Sequence, residues 1–147
     1  MIKLTIDRHN IDRMVNYGIL LHGHAGPYLN LGIKMGLMAL EILDAKGYFD
    51  LVTKVELKYH TPFSCLIDGL QISTGCTLGK GNIQVKDNPD IMRASFRSGN
   101  RNLLITLKPE IIKLLDFQKT SCEELGEQIM SMKNETLFDY EEINGAI

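Results

Sequence analysis

Residues 61–82 read TPFSCLIDGLQISTGCTLGKGN, and the fold turns on how this stretch is read. Leu66, Gly69, Leu70 and Ser73 recur at steps of three and four, with Cys65, Asp68 and Ile72 near another side, so a short helix is predicted over 65–74. Gly75 stops that helix, and a glycine-rich exit follows. Upstream, 51–59 alternates Val52, Lys54 and Glu56 with Thr53, Val55 and Leu57, a β-branched pattern that predicts a strand. Downstream, 82–86, 91–97 and 103–107 predict three more strands. The turn formers Asp87-Asn88-Pro89-Asp90 and Ser98-Gly99-Asn100-Arg101 join them, which reads as an antiparallel meander.

Further out, Ile11, Met14, Val15 and Ile19 share one face of a helix for which Asp7 is the expected N-cap. The two glycines and the proline of HGHAGP, residues 22–27, then place both histidines on a loop between helices. A second helix is predicted over 29–45, with Leu31, Met35, Met38 and Ile42 in register and Gly47 at its end. Its Gly32, Gly36 and Ala39 form a stripe that implies close backbone approach to another element, because glycine inside a helix costs roughly 1 kcal/mol. Pro109 opens a helix to about residue 115. Thr120 or Ser121 caps another to about 132. The tail is anchored by Leu137, Phe138 and Tyr140 and then frays. Helices, a strand, a helix, a hairpin-rich sheet and helices again make an α+β pattern in one domain over 1–147.

Composition excludes several classes. At 44% hydrophobic and 23% charged the chain is neither disordered nor low-complexity. Sixteen basic against eighteen acidic residues, spread evenly, leave no stripe for nucleic acid. The most apolar segment, 29–43, is interrupted by Asn30, Lys34 and Glu41 and is too short to span a bilayer. The N-terminal MIKLTIDRHNIDRM has no apolar core of signal-peptide length, so a cytoplasmic protein is expected. Three cysteines, an odd number, argue against a disulfide framework and leave metal ligation, redox chemistry or packing.

The chemistry-bearing residues fall in two segments. His22 and His24 offer imidazole nitrogen, the commonest nitrogen ligand for transition metals. Cys65 sits at the first turn of its helix, where the helix N-terminus favours thiolate. Cys76 brackets the other end, and Cys122 reads as a small packing residue. Asp68, one turn after Cys65, is placed to ligate, to orient a histidine or to cap backbone, while His60 could reach the same region and His9 reads as surface. GCTLGKG, residues 75–81, is one residue short of a phosphate loop, lacks Ser or Thr after Lys80 and leads into a strand, so only a looser anion contact from Lys80 remains.

HGHAGPYLNLGIKMG (22–36) together with DGLQISTGCTLGKGNI (68–83) closely resembles the two signature blocks of the family of formylmethanofuran dehydrogenase E subunits, written HGHxCPxxxLGxRxG and then Cys, Asp-Gly/Ala-x-Gln and TGCTxGKGN. The resemblance implies a mixed five-stranded sheet flanked by helices, of α+β type with a thioredoxin-like flavour. It also implies a metal, typically zinc, a homodimer, and association with a larger oxidoreductase complex of one-carbon metabolism. Carried over, His22 and His24 match the family histidines, Cys65 and Cys76 its thiols, and Asp68, Gln71 and Lys80 its polar positions. Gly26 stands where the first block has cysteine, and the C-terminal zinc finger of longer members is not in this sequence.

Three functions follow as expectations. The first is a metal-binding accessory or redox-linked domain with His24, Cys65 and Cys76 as ligands, helped by His22 and Asp68. The second is a metal-dependent enzyme on a carbonyl or formyl-like small molecule, with Cys65, His24 and Asp68 as catalytic groups. The third is a metal-free binder of a small molecule or anion, using Lys80 and Gln71.

Overall fold

The helix Pro27–Leu43 carries Leu29, Leu31, Ile33, Met35 and Leu40 on every side, and a helix apolar all round has to be enclosed. The computed structural model describes residues 4–143 and puts this helix, α2, at the centre. α1 (Ile11–His22), α3 (Cys65–Thr74) and α5 (Cys122–Ser131) pack around it, and it also meets the strand β4 (Arg101–Leu107). α4 (Pro109–Phe117) and the short α6 (Asn134–Leu137) complete the helices among the described residues.

Helix boundaries differ from expectation where a cap decides them. Asn10, not Asp7, caps α1 by accepting from the Arg13 backbone N–H at 3.2 Å, while Asp7 accepts from His9 N–H. His22 is therefore the last residue of α1 and not a loop residue; Gly23, at φ 100°, makes the left-handed exit. Pro27 occupies the first helical position, where a missing N–H costs nothing, so α2 starts before Leu29. It ends at Leu43 with Asp44 left-handed, ahead of Gly47.

Five strands form one mixed sheet in the order β2-β1-β3-β4-β5, with β1 at Val52–Leu57, β2 at Ile83–Asp87, β3 at Arg93–Ser98 and β5 at Phe138–Ile143. The sheet is mostly antiparallel, as expected, and the fold is α+β. Thr53, Val55, Leu57, Ala94, Phe96, Leu103, Ile105 and Leu107 turn inward to the helices; Lys54, Glu56 and Arg93 occupy the other face, where Arg93 pairs with Glu56 at 3.2 Å. Among the described residues no helix is long and apolar enough to cross a membrane.

Two strand expectations are corrected. The meander holds only for β3 and β4, because β2 lies parallel to β1 on its far side, Thr53 opposite Ile83. A strand, helix and strand in succession, β1-α3-β2, need this crossover. The 87–90 segment bonds back onto the end of β1 instead of closing a hairpin: Asn88 N–H donates to Leu57 O, and Asn88 Nδ2 to Glu56. The tail does not fray after Tyr140 but adds β5 beside β4, Leu107 opposite Phe138; residues 144–147 lie outside the described residues.

The glycine stripe does bring backbones together, within this chain. A Cβ built on Gly32 lies 2.2 Å from Leu66 O, and one on Gly69 lies 2.1 Å from Leu29 O. α2 and α3 thus touch main chain to main chain. The stripe is spent on α3 and is not a surface for a second copy.

Candidate functional site

Three helices run parallel and begin at one end of the molecule. Along α2 and α3, Gly32 meets Gly69 and Gly36 meets Ser73, so both advance together. Along α2 and α5, Asn30 Nδ2 donates to Gly126 O at 3.0 Å, and one turn on Lys34 Nζ donates to Ile129 O and Met130 O at 3.2 Å each and to Met132 O. The starts of α2, α3 and α5 are thereby side by side, each contributing the positive end of a helix dipole. Cys65 and Cys122 are both first helical residues, and Gly26 precedes α2. α1 ends here too, with His22.

His22 Nδ1 lies 2.6 Å from Asp68 Oδ2. A carboxylate accepting from Nδ1–H fixes the tautomer and leaves Nε2 as the nitrogen available to a ligand. The His24 ring stands edge-on to His22 with centroids 5.0 Å apart. A cavity of about 690 Å³ opens beside them, lined by His22, Cys65, Asp68 and Gln71 and walled by Tyr59 and Val85. Gln71 spans two jobs, its Nε2 donating to Asp68 Oδ1 at 3.5 Å and its Oε1 accepting from Leu78 N–H at 3.1 Å. Cys65 is half-buried, and burial pushes its thiol up, with the negative charges of Asp68 and Cys122 adding to the effect. The thiolate expected from the helix start is outweighed by desolvation.

Not all the sequence candidates meet there. Cys76 lies beyond the far end of α3, which at 1.5 Å per residue is about 15 Å long. It is fully buried: its sulfur lies 3.3 Å from Leu51 O and accepts from Thr53 Oγ1 at 3.4 Å. The motif around it is a staple for the crossover. Thr74 Oγ1 accepts from Cys76 N–H, Asn82 Oδ1 accepts from Thr77 N–H, and Asn82 Nδ2 donates to Tyr48 O and Leu51 O. Lys80 is exposed, bonded to Thr77 Oγ1 at 3.0 Å and resting over the Phe49 ring. His60 is exposed and bonds its neighbour Thr61 O. Cys76→Ala is accordingly expected to cost about 1–2 kcal/mol of stability, as a small cavity does, while leaving bound metal unchanged; thermal melts and metal analysis check both.

Cys122, which its sequence context suggests is a packing residue, is exposed instead, and its sulfur approaches Gly26 beside His24. No local signal marks it, since its neighbour is 96 positions away in the sequence. In kind, the donors gathered at this end, two imidazoles, two thiols and a carboxylate, suit a borderline-soft divalent ion such as zinc. Among the described residues no three His, Cys, Asp or Glu side chains already surround one point.

Residues 21–139 match the model of a family described as FmdE, Molybdenum formylmethanofuran dehydrogenase operon. A relative from Archaeoglobus fulgidus, named "Probable S-adenosyl-L-methionine-binding protein", is 38% identical over 68 residues, 42% of this chain. The chain spans only 17% of that relative's length.

Proposed function

The chain belongs to the FmdE family, and from that footing we propose that it is a metal-binding domain serving a dehydrogenase complex, holding zinc or another divalent transition ion through His22, His24 and Cys65. The observation that carries this reading is the 2.6 Å His22–Asp68 contact on the wall of the cavity that Cys65 also lines. Histidines that ligate metal ordinarily donate their other nitrogen to a carboxylate or carbonyl, and this pair has that form. His24, exposed on the loop, has its ring centroid 5.0 Å from that of His22. A zinc ion held by these donors would supply Lewis acidity at the cavity wall. Cys76 is left out, its sulfur being engaged by Leu51 and Thr53.

Metal analysis of protein purified without added metal tests the assignment. Wild type is expected to retain stoichiometric metal, and His22→Ala and Cys65→Ser to lose most of it. Metal-free wild type, or variants that keep their metal, would end the reading. A homodimer enters from the family alone, and a monomer mass by light scattering removes it.

The cavity favours a second reading alongside. Its volume of about 690 Å³ falls within the roughly 300–1,000 Å³ of small-molecule sites, and the archaeal relative is named for S-adenosyl-L-methionine. Calorimetric titration with that compound should give heat in the wild type that Asp68→Ala abolishes; silence in the wild type discards it.

A further inference from the structure

Gly26 has an extended backbone, φ −92° and ψ 178°, a conformation open to any residue. Conformation therefore does not call for glycine. Space does: a Cβ at position 26 would lie 2.6 Å from Cys122 Sγ and 3.3 Å from His24 Cε1. The sulfur of α5 fills the volume that a side chain at 26 would claim, next to the imidazole.

The placement is built, not incidental. Gly26 with Cys122, Asn30 with Gly126 and Lys34 with Met130 are successive rungs of the α2–α5 pair, four residues apart on each helix. The lower two rungs are hydrogen-bonded and buried on the α2 side, so they fix the height of the first. A Cβ on Gly126 would lie 2.6 Å from Ala25 O, so α5 is held against the histidine loop itself.

We infer that Cys122 is a sulfur ligand of the centre formed by His22, His24 and Cys65, delivered from α5 into the space left open at Gly26. The inference rests on the metal-site reading above and adds a donor to it. A centre with two thiolates selects zinc or cobalt over harder ions such as magnesium or calcium. It also ties α5 to the site, so metal binding stabilises the α2–α5 contact.

Cobalt(II) titration of the chelator-treated full chain provides the test, because thiolate-to-cobalt charge-transfer absorption grows with the number of bound thiolates. Cys122→Ser is expected to reduce that band to about half and to weaken cobalt binding at least about 10–100-fold. Gly26→Cys in the Cys122→Ser background should restore the band, since it returns sulfur to the same volume from the other helix. Metal-free melts of Cys122→Ser and Cys122→Ala, expected to match wild type at this exposed position, separate ligation from folding. A full band in Cys122→Ser, with the band lost in Cys65→Ser, overturns the role of Cys122 and leaves the metal site standing. No cobalt binding in the wild type overturns both.

Discussion

Gly69→Ala is expected to lower the thermal midpoint by roughly 4–8 °C, at about 2–4 °C per kcal/mol for a chain of this size. The new Cβ would lie 2.1 Å from Leu29 O and 2.8 Å from both Gly32 Cα and Ile33 N, all of them backbone. No rotamer change relieves such a contact, so α2 and α3 must separate along their length. Overpacking costs about 1–3 kcal/mol and occasionally more. Alanine returns about 1 kcal/mol of helix propensity, and with the backbone clash placing overpacking at the top of its range the net loss is about 2 kcal/mol. Because α3 also carries Cys65 and Asp68, the variant should lose metal along with stability. Gly79→Ala is the control: nothing lies within 4 Å of its Cβ, and a surface change there is expected to stay within about 0.5 kcal/mol. Equal midpoints for the two variants would mean that the helices do not pack main chain to main chain.

Lys34→Ala carries the second large effect. Lys34 is 7% exposed, and its ammonium closes the end of α5 by donating to the carbonyls of Ile129, Met130 and Met132. Its removal takes the ammonium donor from the Met130 and Met132 oxygens, while Ile129 O keeps its bond from Met132 N–H. Hydrogen bonds from a charged group are worth about 1.5–3 kcal/mol net, so a loss of about 2–3 kcal/mol is expected in a urea denaturation series. Lys34→Met keeps most of the stem packing and isolates the charge. Burial lowers the Lys34 pKa from 10.5, with Glu135 working weakly the other way. The folded chain thus holds this proton less well than the unfolded chain, and this contribution to stability rises as pH climbs toward 10.5. Lys34→Met lacks that rise, so its deficit against wild type should widen as pH rises toward 10.5. A deficit that shrinks over this range would show that the ammonium is favoured, not penalised, by its burial.

Much of the architecture was written locally. The period of apolar residues placed α1, α2 and α3, Pro109 and the 120–121 cap placed α4 and α5, Gly75 and the Ser98–Arg101 turn ended elements where expected, and Ser121 capped α5 by accepting from Glu124 N–H. The signature residues between His22 and Asn82 pointed to the family that the chain proved to match. What they did not reveal was division of labour. The most specific block, TGCTLGKGN, is hydrogen-bonded as a staple at the return of the crossover and lends only Leu78 to the cavity, while His22, Cys65 and Asp68 line that cavity nearer the start of α3.

Sequence alone settled the helical spacing of the apolar residues in α1, α2 and α3, which residues are able to bind metal, and that glycines in α2 answer a close neighbour. It could not settle which neighbour, because periodicity describes a helix relative to its own axis and says nothing of its partner. Only the packed structure paired β2 with β1, buried Cys76 and exposed Cys122. The parallel register of α2 with α5, set by Asn30 and Lys34 against carbonyls 95 to 98 positions away, brought that last sulfur to Gly26 beside His24.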